Sequence, residues 1–107
     1  MTEAPRIDQY GNKFWVNAAR YPHREDGPAI EWADGGREWW RNGWCHREDG
    51  PAIDKYGRVE WFINDKRHRL DGPAVHCPNG SKRWYINGEE LTEEEHAERV
   101  KELQKND

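Results

Sequence analysis

Three histidines each stand three residues ahead of an aspartate: His23 and Asp26, His46 and Asp49, His68 and Asp71. An imidazole beside a carboxylate is a pairing that general acid–base catalysis uses. All three pairs sit in one repeated phrase, His-Arg-x-Asp-Gly-Pro-Ala-Ile/Val, which starts at His23, His46 and His68 in steps of 23 and 22 residues. Repetition argues against the catalytic reading, because three copies of one active site in a 12.7 kDa chain would be odd. An Asp before Gly-Pro commonly accepts bonds from its own turn, and a His or Arg can tie one unit to the next. His23, Asp26, His46, Asp49, His68 and Asp71 therefore read as structural joints between repeats.

Other chemistry is sparse. Cys45-His46 and His76-Cys77 are nominally a zinc set. Neighbours on a strand point to opposite faces, and the two cysteines fall at different places in the repeat, so no metal is expected. Ser81 is the single serine, and no GxSxG, P-loop, HExxH or GxGxxG occurs. The expectation is a chain that is not an enzyme and carries no cofactor.

A period of 22–23 residues points to stacked repeats. After each joint comes a short segment, then a Gly with a Trp four residues on: Gly35/Trp39, Gly57/Trp61 and Gly80/Trp84. An aromatic follows, then one residue and Asn42, Asn64 or Asn87. Residues 7–17 repeat the back half of the unit without its front, and 18–22 are an insertion. Asp-Gly-Pro turns the chain, with Gly free to supply a positive φ. Asp34-Gly35, Tyr56-Gly57 and Asn79-Gly80, then Asn42-Gly43, Asn64-Asp65 and Asn87-Gly88, are hairpin turns. Each unit should be a β-hairpin of roughly five-residue strands, about 17 Å long. Alternation sets Trp15, Trp39, Trp61 and Trp84 on one face and Val16, Trp40, Phe62 and Tyr85 on the other.

The end changes character. Thr92 and Glu95 form a capping box, acids fill the first turn, and His96, Val100 and Leu103 make a thin apolar stripe, with Leu91 as a staple. The expected fold is mostly β: tandem antiparallel hairpin repeats in an elongated sheet with a C-terminal α-helix. One domain is expected over 1–107: a loose start over 1–6 within a partial unit and link at 1–22, three hairpin repeats at 23–91, and a capping helix at 92–105.

Composition bounds the rest. Hydrophobic residues are 34% and charged residues 36%, a balance that would suggest disorder but for seven Trp. The net charge is −4, and residues 89–107 carry eight acids against three bases, so the body is near neutral. That is not a nucleic-acid footprint, and direct nucleic-acid binding is not expected. No stretch is apolar enough to span a membrane, no signal-peptide pattern opens the chain, and two cysteines make no disulfide framework. A cytoplasmic location is the default.

The period, the hairpin-sized units and the Gly-aromatic-Asn-Gly spacing resemble MORN-type repeats. The HRxDGPA phrase with Trp-aromatic-x-Asn-Gly, closing in Leu-Thr-Glu-Glu-Glu, resembles a variant common in small phage and giant-virus proteins. The likeness covers roughly residues 7–95, but the Tyr-x-Gly core usual in that family is missing. It implies the stacked-hairpin fold, a viral source and, in a viral setting, the host cytoplasm. MORN-type arrays mostly serve as protein-binding or lipid-associated scaffolds, and the missing core argues against a lipid role.

Residues that differ between copies are free to serve a partner. Trp32 stands against Lys55 and Cys77, and Trp44 against Lys66 and Glu89. With Trp40, Phe62, Tyr85, Arg37, Arg41, Arg58, Arg67 and Arg83 they form a candidate aromatic and basic binding face. The acidic helix, with Glu93, Glu94, Glu95, Glu98 and Glu102, is a second candidate contact. The expected function is non-catalytic protein binding, as a phage protein that engages or inhibits a host protein, such as a defence-system component. One alternative is a sponge holding a small nucleotide or other ligand between Trp and Arg side chains. Another is a structural protein forming homo-oligomers through open sheet edges.

Overall fold

A computed structural model describes residues 4–105. Thirteen short strands run in chain order: β1 (Arg6–Ile7), β2 (Lys13–Phe14), β3 (Ile30–Glu31), β4 (Arg37–Glu38), β5 (Trp40–Arg41), β6 (Trp44–Cys45), β7 (Ile53–Lys55), β8 (Arg58–Glu60), β9 (Phe62–Ile63), β10 (Lys66–Arg67), β11 (Val75–His76), β12 (Lys82–Ile86) and β13 (Glu89–Leu91). Among the described residues one helix, α1 (Glu93–Gln104), follows β13. Nine strands make one antiparallel sheet in the order β1-β2-β3-β4-β7-β8-β11-β12-β13, and β5/β6 and β9/β10 are separate hairpins. The molecule measures 47 × 33 × 17 Å. The mostly β, elongated, antiparallel architecture with a C-terminal helix agrees with the sequence. The loose start over 1–6 and the partial unit lie outside the described residues for positions 1–3.

The five-residue strands are a correction. Most strands are two or three residues long, and the return strand of each internal unit breaks at its Trp. Trp39 N–H donates to Ala52 O in the main sheet, while Trp39 O accepts from His46 N–H in the side hairpin; Trp61 does the same with Ala74 and His68. Each Trp is thus the corner at which the chain leaves one sheet for another. Trp84 has no further unit to serve, pairs with Leu91, and lies within the unbroken β12.

The joints stack on these corners. Arg24, Arg47 and Arg69 each lay the guanidinium carbon 3.9 Å over the ring of Trp15, Trp39 and Trp61. The same guanidinium donates through Nε to Asp26, Asp49 or Asp71 and through Nη1 to the carbonyl of Pro28, Pro51 or Pro73. The joint glycines do not supply a positive φ, which corrects the turn argument. Their role is clearance: a Cβ on Gly50 would sit 2.8 Å from Arg47 Cζ. Beneath the joints Ala29, Ala52 and Ala74 are fully buried, with Val75, Tyr85, Trp61 and Cys77 packed around Ala74.

The helix docks by its first turns. Thr92 and Glu95 make the reciprocal capping box. His96 and Leu91 are buried, whereas Leu103, expected in the apolar stripe, is largely exposed. Among the described residues no helix is long and apolar enough to cross a membrane.

Candidate interaction surface

The joint His and Asp side chains serve different partners. His23, His46 and His68 accept on Nδ1 from the backbone N–H of Asn42, Asn64 and Asn87, at 2.9, 2.9 and 3.0 Å. Those Asn residues all have φ of 49°, a left-handed conformation that Asn tolerates and the following turn needs. Each His thus holds the tight turn that closes the neighbouring hairpin. Asp26, Asp49 and Asp71 each accept from the Nε–H of the joint Arg. The Arg69 hydrogen bond holds the Asp71 carboxyl below its usual range. Burial, with His96 nearby, lowers the pKa of His68.

The candidate aromatic and basic residues divide into self-satisfied groups. Glu38 accepts from the indole N–H of both Trp32 (2.7 Å) and Trp40 (3.0 Å). Phe14 meets Trp32 edge-on, and Lys55 Nζ sits over the same Trp32 ring. One unit along, Glu60 is 8% exposed and takes Arg58 on one oxygen and Arg67 on the other. Arg67 also lies over Phe62 and Tyr85, and Tyr85 is buried. Arg83 pairs with Glu90 through two bonds, which raises the Arg83 pKa and lowers that of Glu90. Arg37 pairs with Asp54 and Arg41 with Glu48. The cations of the expected face have ion-pair partners within the chain, while Arg37, Arg41, Arg58 and Arg83 keep 41–52% of their side-chain surface exposed. Glu38 and Glu60, which organise it, were not singled out from the sequence; their shared place one residue before the Trp was the available signal.

Cys45 is buried, which pushes its thiol pKa up and makes it a poor nucleophile. Among the described residues no group of three metal-ligating side chains occurs. Glu93, Glu94, Glu95, Glu98 and Glu102 are exposed along α1, and Glu95 is committed to the cap.

Trp44 differs from the other candidates. It is 54% exposed and lines an open hollow of about 480 Å³ with Arg41, Asn42, His46 and Asn64. Tyr21, 58% exposed, holds the equivalent place one unit earlier, two residues before the joint His. Its stem covers the Asn42-Gly43 turn: a Cβ on Gly43, whose φ is +82°, would meet Tyr21 Cβ and Cγ at 3.1 Å. Tyr21 was missed because it falls in the insertion, where the repeat pattern is disguised. Later copies have Lys66 and Glu89 at this place, so one ridge runs Tyr21, Trp44, Lys66, Glu89. Comparison of the chain with protein-family models, curated proteins and solved structures finds no match in any of the three.

Proposed function

We propose that the chain is a non-catalytic protein-binding repeat module whose contact surface is the ridge carrying Tyr21 and Trp44. The observation that carries this reading is the exposure of Trp44 at a position the later copies fill with Lys66 and Glu89. A repeat that needed Trp there for packing would bury it. Large, partly exposed aromatics beside an Arg are what protein-interface hot spots are made of. The commitment of the joint histidines to backbone N–H groups supports the non-catalytic part. The host protein as partner, the viral source and the host cytoplasm as its compartment follow from the resemblance of the HRxDGPA phrase.

A self-associating array is less well supported. Arg6 occupies the place where later copies have Ala29, Ala52 and Ala74, each wholly buried by the stack. Covering Arg6 with a preceding unit would bury its charge, and charged edges oppose strand addition. The ligand-sponge alternative has the open Trp44 hollow in its favour, but its Arg residues are already paired. The test is retention of a host protein on the immobilised chain. Trp44→Ala should lower retention at unchanged melting temperature, and Tyr21→Ala should lower it with some loss of stability at the turn it covers; retention indifferent to both substitutions would refute the surface.

A further inference from the structure

We infer that the ridge receives a proline-rich segment in the polyproline II conformation, of the pattern Pro-x-x-Pro-x-x-acid, a partner class that presupposes the protein-binding reading above. The ridge keeps step with the array. Tyr21, Trp44 and Lys66 hold equivalent places in successive units, and each unit adds two strands to the nine-stranded sheet, so neighbouring ridge positions are two strand spacings apart along the array. Two strand spacings are about 9.6 Å. One three-residue turn of polyproline II advances about 9.3 Å. Residues i, i+3 and i+6 of such a helix, laid along the array, meet Tyr21, Trp44 and Lys66 in turn. A bound β-strand repeats a face every ~6.7 Å and an α-helix returns to one face after seven residues, ~10.5 Å, so polyproline II keeps the closest step with the ridge.

The chemistry agrees with the spacing. Proline rings pack on aromatic faces, and the carbonyls of a polyproline II chain have no internal donors, so they take bonds from groups such as an indole N–H. Among the described residues the indole N–H of Trp44 has no acceptor, and Arg20 and Lys66 have no ion-pair partner. The acids nearby are engaged: Glu48 with His46 and Arg41, Glu89 with Arg99, and Asp65 with Cys45 N–H. The unneutralised charge on the ridge is positive, which complements a carboxylate at i+6. A single-stranded nucleic acid would also suit aromatics and cations, but the −4 net charge opposes a polyanion.

Capped decaproline peptides with Glu or Lys at position 8 test this by isothermal titration against the intact chain. The Glu peptide should bind several-fold more tightly than the Lys peptide. Trp44→Ala should weaken it at least tenfold, and Lys66→Glu, at an exposed site, should invert the preference. Absence of binding, binding indifferent to Trp44→Ala, or no inversion overturns the inference. If neither peptide binds while Trp44-dependent retention of a protein persists, the polyproline assignment fails and the protein-binding reading stands. Capture of a dT12 oligonucleotide in place of the peptides, lost in Trp44→Ala, overturns both.

Discussion

The His96 imidazole packs on the Trp84 ring with centroids 5.0 Å apart, and its Nε2–H donates to Arg69 O at 2.7 Å. Trp15, Trp39 and Trp61 are each covered by the Arg of the following joint, and Trp84 has no following joint. The helix supplies His96 in that role, so α1 stands where a fourth joint would stack. His96→Ala removes a buried ring and a hydrogen bond, and should cost about 1–3 kcal/mol by chemical denaturation. An unchanged midpoint would show that α1 does not cap the array.

The Arg–Trp stack should not accept lysine. Arg47 uses a planar fork to reach Asp49 and Pro51 O while lying on Trp39. A lysine has one donor centre and no flat face. Arg47→Lys should destabilise by about 1–2 kcal/mol, measured by thermal melting. Gly50→Ala should act at the same contact, since its Cβ would displace the guanidinium. The double variant should then lose less than the sum of the two, as expected for changes that share one contact.

Glu60 holds two arginines together at a nearly closed site. Glu60→Gln keeps the shape but leaves Arg58 and Arg67 facing each other without a counter-charge. The expected loss is about 1–2 kcal/mol, larger at low salt, because both guanidinium groups are partly solvated. Equal losses at low and high salt would show that packing, not charge, is the role of Glu60.

Acid should loosen the last joint. His68 accepts a hydrogen bond on Nδ1, which the neutral ring provides, and burial holds its folded pKa below the ordinary 6.5. The folded state then binds fewer protons than the unfolded one, so the stabilisation is present above pH 6.5 and is lost as pH falls through the folded value. Melting temperature should drop between pH 7 and pH 5. His68→Asn, which keeps an acceptor and cannot titrate, should flatten that slope; an equal slope in the variant would locate the acid sensitivity elsewhere.

The repeat, its turns and its cap were legible in the residues because each is a local matter. Asn42, Asn64 and Asn87 mark left-handed turns through their own backbone preference, and Thr92 with Glu95 closes its bonds within one helical turn. Period alone implied stacking, since a lone hairpin cannot bury its own face. Tertiary structure decided what the side chains do once stacked. It split the return strands at Trp39 and Trp61, because those residues serve two neighbours at once. It gave Arg58, Arg67 and Arg83 of the candidate face carboxylate partners within the chain, Glu60 and Glu90, which no local preference of the arginines specifies. It also left Trp44 and Tyr21 more than half exposed, a consequence of where the side hairpins sit and of no residue preference in the chain.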